Sequence, residues 1–151
     1  MINVKDSVIR DAEKPVNVDA LLVKGRPVSI NEDGEIIAAD NTTGCYGLSL
    51  TDKNPKRDDT YGEVGAYGSR KATVEVAGRV EVSPSSYLDS DLNEEVVYQV
   101  YDVEQDYVPM QKIYVNAEGL LTNQDTGNEV GILTKAPTAN DPVMELIVKC
   151  A

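Results

Sequence analysis

The chain has 151 residues, 26 acidic side chains against 14 basic ones and a formal charge of −12, which opposes binding to nucleic-acid phosphates and to anionic membrane surfaces. Histidine, tryptophan and phenylalanine are absent, so the commonest general base near neutral pH is missing, and no Ser-His-Asp or Cys-His arrangement can be built from this chain alone. With 41% hydrophobic and 26% charged residues, the composition is that of a globular chain able to bury one core or two small intertwined ones.

The opening residues, MINVKDSVIRDAEKPV, carry acids and no apolar stretch, which predicts no cleaved leader. No apolar run approaches the roughly 20 residues of a membrane-spanning helix. Residues 1–19 alternate poorly; they are expected as an N-terminal arm ordered by a partner, or else as a first strand pairing inside the domain.

From there β signals recur between turn residues. Ala20 to Val23 leads to the turn Lys24-Gly25-Arg26-Pro27. Val28 to Ile30 and Glu35 to Ala38 flank Asn31-Glu32-Asp33-Gly34, a hairpin signal. Cys45 to Leu50 forms a strand around Gly47. Ala72 to Val76 and Arg79 to Val82 alternate as a half-buried sheet should. Pro84 to Leu92 is expected to hold one helical turn. Val96 to Tyr101 is rich in β-branched and aromatic residues. The last strands are expected at Lys112 to Val115, Gly119 to Leu121, Glu129 to Thr134 and Val143 to Val148. The expected fold is all-β: two related small β-modules packed as a barrel or sandwich, one at about 20–83, a connecting insertion at about 84–109, and the other at about 110–151.

That division rests on an internal echo. Val28 to Gly34 resembles Ile113 to Gly119, Tyr46 to Leu50 resembles Val130 to Thr134, and Ala72 to Val76 resembles Met144 to Val148. The offset stays near 85 residues (Gly34 to Gly119) and then falls to 72 (Val74 to Leu146), which places extra residues in the first copy between Leu50 and Ala72.

Sites for chemistry are sparse. No GxGxxG or GxxxxGK[ST] phosphate loop occurs. Asp89-x-Asp91-x-Asn93 begins like a calcium loop, but Glu94 replaces the required glycine and Val100 the bidentate glutamate, so no metal site is expected. Asn123, Asp125, Gly127 and Asn128 read as a polar turn. Cys45 and Cys150 lie far apart in sequence and are expected as small buried apolar residues rather than a disulfide. No cofactor and no catalytic residue is expected.

The order Lys24-Gly25-Arg26-Pro27-Val28, then Tyr46-Gly47-Leu48-Ser49-Leu50, then Val74-Glu75-Val76-Ala77-Gly78-Arg79-Val80 resembles the capsid cement, or decoration, proteins of tailed bacteriophages. The second half repeats it as Lys112 to Val115, Val130-Gly131-Ile132 and Leu146-Ile147-Val148. Met110-Gln111 departs from the pattern, standing where the family places a Gly-Asp-like turn. The resemblance implies a protein without catalytic residues, made in the host cytoplasm. It would be added to the outer capsid surface of a virion, where it clamps neighbouring major capsid protein subunits. It also implies a homo-oligomer, with a trimer favoured, and neither nucleic acid nor membrane as partner.

Thr51 to Lys71 interrupts the first module and holds Lys53, Lys56, Arg57, Arg70 and Lys71, five of the 14 basic residues, together with Tyr61 and Tyr67. Tyr and Arg are enriched at protein interfaces, so these seven residues are the candidate protein-interface set, with Lys53 expected as an isolated rim charge. Two other readings stand beside this one. One is a surface glycan-binding module with Tyr61, Tyr67, Tyr98, Tyr101 and Tyr107 as sugar platforms; the other is an enzyme working with carboxylates alone.

Overall fold

The computed structural model of the chain describes residues 1–53, 71–89 and 94–150. Among these residues every regular element is a strand, as the alternating and β-branched segments predict. The main sheet runs β3 (Ile36–Ala38), β2 (Pro27–Ile30), β4 (Gly47–Ser49), β5 (Lys71–Val82), β11 (Met144–Lys149), β10 (Glu129–Lys135), β8 (Lys112–Val115) and β9 (Leu121–Thr122), with β1 (Ile2–Pro15) against β5. β6 (Ser85–Asp89) and β7 (Glu94–Tyr98) form a separate two-stranded hairpin.

β5 is the strand on which both halves are built. One of its edges pairs with β1 along its whole length; the other pairs with β4 at Val74 and Glu75, then with β11 from Ala77 to Val82. Its even-numbered side chains serve two interiors in turn. Ala72, Val74 and Val76 pack with Val16, Ala20, Leu22, Val28 and Ile36; Val80 and Val82 pack with Ile113, Leu121, Leu133, Met144 and Leu146. Each set is an all-apolar cluster of the kind that supplies most folding free energy.

The two halves repeat one backbone design, atom for atom. At the first hairpin the Asn31 side-chain oxygen accepts the amides of Asp33 and Glu35, and Asn31 N–H donates to Glu35 O; at the second, Asn116 does the same with Glu118 and Leu120. Gly34 and Gly119 close these three-residue loops at φ 77° and 78°, left-handed values that glycine adopts without penalty. Val28 pairs with Gly47 as Ile113 pairs with Gly131, and Leu48 faces Glu75 as Ile132 faces Ile147. The two central glycines share one cause. A Cβ on Gly47 would lie 2.4 Å from the Glu75 carbonyl oxygen, and one on Gly131 would lie 1.9 Å from that of Ile147. The repeat reaches further upstream than sequence similarity shows. Val16 bridges Ile36 and Tyr101 bridges Leu121, both in parallel, and the following amides of Asn17 and Asp102 donate to the same two residues. Residues 16–19 and 100–109, expected in the arm and in the connecting insertion, thus occupy equivalent places at the start of each half.

Three expected features differ. Residues 2–15 form β1, the alternative of an internal first strand, although most of its side chains are exposed. Register shifts along β1 break the period-two pattern that sequence reading looks for; ladder hydrogen bonds and charge pairs hold it instead. Lys5 meets Glu81 at 3.2 Å, Arg79 meets Asp6 at 3.0 Å, and Arg10 reaches the fully buried Glu75 at 3.1 Å. Pro84 to Leu92 does not hold the expected helical turn over its described residues: Ser85–Asp89 is strand β6, because the β-branched run of β7 offers it an antiparallel partner, with Ser86 opposite Val97 and Tyr87 opposite Val96. Ala20 to Val23 is an irregular segment after the turn at 18–19, stitched by one bridge, Leu22 to Lys53, rather than a strand.

Two predictions follow from these contacts. Gly131→Ala drives a Cβ into backbone and should cost about 3 kcal/mol or more. Gly34→Ala, with nothing within 4 Å of the new methyl, bears only left-handed strain, about 1 kcal/mol. Urea unfolding of the two variants checks the difference. The second concerns pH. Tyr46 donates its hydroxyl proton to Asp11 on β1; that bond, then burial, raises the Tyr46 phenol from 10.0 to about 12. The folded state therefore holds this proton more tightly than the unfolded state. Its contribution is complete below the unfolded value and is lost as pH rises from about 10 to about 12. Tyr46→Phe should abolish that part of the alkaline loss in urea titrations across this range.

Candidate interaction surface

The basic stretch expected at the interface is described only at its two ends; Lys56, Arg57, Tyr61, Tyr67 and Arg70 lie outside the described residues. The ends lie side by side, with Leu50 N–H donating to Thr73 O at 2.9 Å. Lys53 is not the rim charge expected. Its backbone exchanges two hydrogen bonds with Leu22, its Nζ donates to Val18 O at 3.0 Å, and it is 5% exposed. The bridge to Leu22 draws it under the 18–22 segment, where its ammonium caps a backbone carbonyl. Lys71 opens β5 on the surface, 3.9 Å from the Glu13 carboxylate. Of the described candidates, then, one is structural and one is presented to solvent.

The tyrosines offered as sugar platforms divide similarly. Tyr101 is buried and donates to Pro142 O at 2.8 Å; Tyr107 donates to Asp102 O at 2.7 Å and meets Tyr101 edge to face at 5.9 Å. Burial pushes both phenols up. They brace the 100–111 loop and present no open ring pair. Tyr98 lies under the Arg26 guanidinium, 5.4 Å from the ring centre. Among the described residues no group of three or more Cys, Asp or Glu is placed to hold a metal ion.

A surface the sequence did not single out comes from comparing the two halves. The turn Val23 to Arg26 and the turn Val108 to Gln111 have the same bonds: Arg26 N–H to Val23 O at 2.9 Å and Gln111 N–H to Val108 O at 3.2 Å, Gly25 N–H to Ser49 O and Met110 N–H to Leu133 O both at 2.8 Å. Their surroundings are opposite. Val23 is buried, and Gly25 is packed so closely that a Cβ would lie 3.0 Å from Met1 O and 3.3 Å from Val100. Arg26 Nε also donates to Gln99 O at 2.7 Å. The first turn is thus covered by the segment that leads into the second half.

The second turn is uncovered. Val108 is 57% exposed and Met110 76%, and Val103 on the same loop is 57% exposed. Met110 holds φ 76°, the left-handed conformation that Gly25 adopts at φ 97° and that costs a residue with a Cβ on the order of 1 kcal/mol. A strained methionine turned toward water gains nothing from burial in the isolated chain. The loop beneath it is fixed: Asn123 Nδ2 donates to Asp106 O at 2.7 Å, and Val108 N–H to Gln111 Oε1 at 2.8 Å. Exposed Glu104 and Asp106 stand between the apolar residues. The result is a small, hydrogen-bonded loop with an exposed apolar cluster among acids; exposed Met is of the type enriched at protein interfaces, and the acids fit a polar rim. The departure of Met110-Gln111 from the Gly-Asp-like turn was its signal in the sequence.

Met110→Gly should therefore stabilise the free protein by about 1 kcal/mol, whereas Gly25→Met, which adds strain and crowds Met1 and Val100, should prevent stable folding. Urea denaturation measures both, and a loss of stability in Met110→Gly would show that the side chain is held within its own chain. No protein-family model and no curated protein matches the chain.

Proposed function

We propose that this chain is a non-enzymatic capsid cement protein that binds the outer surface of a virion and clamps neighbouring major capsid protein subunits. The observation that carries the binding role is the strained, exposed Met110 with Val108 and Val103, at a turn whose counterpart in the first half is covered. A position where glycine costs least has been given a large apolar side chain that stays 76% exposed, which supports a partner from another protein. The capsid as that partner rests on the resemblance in the order of motifs around Lys24 to Val28, Tyr46 to Leu50 and Val74 to Val80. The repeated two-half body supports it, since the resemblance implies the same repeat.

The proposed form on the shell is a homo-oligomer, with a trimer favoured. Among the described residues β1 leaves one edge unpaired, but its register shifts and its charges, among them Lys5, Asp6, Arg10 and Glu13, blunt that edge against strand addition. Association is therefore assigned to side-chain surfaces such as the Met110 turn. The glycan reading is weakened at two of its platforms: Tyr101 is buried, and the half-buried Tyr107 packs edge to face against it.

Shells of major capsid protein assembled without this chain, mixed with it and sedimented, test the proposal. Wild-type protein should co-sediment to saturation. Val108→Ser combined with Met110→Gly should weaken occupancy about 10-fold or more, and replacing residues 54–69 with a short Gly-Ser turn, which spares the structural Lys53, measures the share of the basic stretch. Light scattering of the free protein and the arrangement of copies on the shell report the oligomeric state. Failure of the wild type to bind any such shell would overturn the reading.

A further inference from the structure

Cys45 and Cys150, 105 positions apart in sequence, meet at the seam of the two halves with their sulfurs 3.4 Å apart. Neither is the fully buried residue expected from the sequence; both are half-buried. Each is held in place. Cys45 immediately precedes the Tyr46–Gly47 segment of β4, and its thiol lies 3.5 Å from Gly47 O. Cys150 follows β11; its N–H donates to Val76 O at 3.1 Å, and its thiol points to Val130 O at 3.7 Å. Cys150 packs against both apolar clusters and Cys45 against the larger one. Sulfurs this close, on backbones anchored on both sides, need only a small approach to bond.

We propose that Cys45 and Cys150 are a latent disulfide, a modification site at which a small-molecule disulfide such as oxidised glutathione converts two thiols into one intramolecular staple across the seam. The exchange balances without any other reagent. One protein thiolate attacks a sulfur of oxidised glutathione, forming a mixed disulfide and expelling one glutathione thiolate. The second protein thiolate then attacks the protein sulfur of that mixed disulfide and expels the other. The two cysteines lose two electrons, glutathione disulfide gains them, and the two thiol protons end on the released glutathiones. The hydrogen bond with Cys150, then burial, push the Cys45 thiol well above its ordinary value, so Cys45 is a poor first nucleophile at neutral pH. The resulting bond would close a loop of 105 positions, from just before β4 to just after β11, and so restrict the unfolded chain strongly. In a reducing compartment the pair stays as thiols, and in an oxidising one it closes. This inference is independent of the capsid reading.

The experiment incubates folded wild-type protein with oxidised glutathione near pH 8. Free thiols should fall from two to none, and the mass should drop by about 2 Da relative to the reduced protein. The species should run as a monomer on a non-reducing gel, and peptide mapping should recover a Cys45–Cys150 cross-link. The thermal midpoint should rise on the order of 5–10 °C and return on reduction. Cys45→Ser and Cys150→Ser should show no such rise. Mapping of the oxidised wild type needs no substitution, so a variant that fails to fold leaves the test intact. Retention of both thiols after prolonged oxidation, a persistent glutathione adduct, or a cross-link between two chains would each overturn the proposal.

Discussion

One constraint governs the whole molecule: a single strand, β5, must complete two β-modules at once. Its twelve residues feed the first interior through Ala72, Val74 and Val76 and the second through Val80 and Val82. Side chains alternate with a period of two, so a slip of one residue in β5 would turn both interiors outward together. Between the two stretches stands Gly78, where a Cβ would meet Asp6 O at 2.4 Å and the Glu75 side chain at 2.5 Å. At this handover β1, β5 and β11 crowd one another, and a buried carboxylate is admitted whose counter-charge arrives from Arg10 on β1. β1 is therefore part of the mechanism that fixes the register of β5, although its own side chains are largely in water.

The same coupling explains the inequality of the two halves. Equivalent turns share their hydrogen bonds, because the backbone path is imposed by pairing with β4 or β10. The side chains above those turns answer to different neighbours. Gly25 sits where Met1, Val82 and Val100 converge, and Met110 sits 76% exposed, with little packed on it among the described residues. The segment around Gln99 and Val100, which leads into the second half, covers the first turn and makes the two modules unequal there. The inequality at Gly25 and Met110 is the local form of that asymmetry.

Much of this was readable in the sequence, and what was not has physical causes. Strands β2 to β5 and β8 to β11 announce themselves by alternation and by the Asn-x-x-Gly loops, since both the buried face and the left-handed glycine leave residue-type signatures. The repeat was legible where glycine is compulsory, at Gly34 and Gly119 and at Gly47 and Gly131. It was invisible at Val16 and Tyr101, where the backbone makes the equivalent bridge but either side chain fits. β1 escaped because an exposed edge strand with register shifts is held by ladder bonds and ion pairs, which impose no apolar period. Lys53 misled because charge predicts exposure, and only the fold reveals the Val18 carbonyl that its ammonium caps. Cys45 and Cys150 were separated by nearly the whole sequence, and their meeting depends on the β5 seam, which no local pattern encodes.

The arrangement of strands at that seam has a mechanical side. β1 and β11 flank β5, both run antiparallel to it, and so both run in the same direction: Ile2 and Met144 lie opposite Val82, while Lys149 lies opposite Ala77. Tension that separates Ile2 from Lys149 pulls the two flanking strands in opposite senses along β5. The load falls parallel to the strands and is shared by many ladder hydrogen bonds at once, where a hairpin opened from its end would yield them one at a time. Stretching along this axis thus meets the stiffest direction that a small β-protein can offer, while the β6–β7 hairpin, paired only with itself, takes no part of the load.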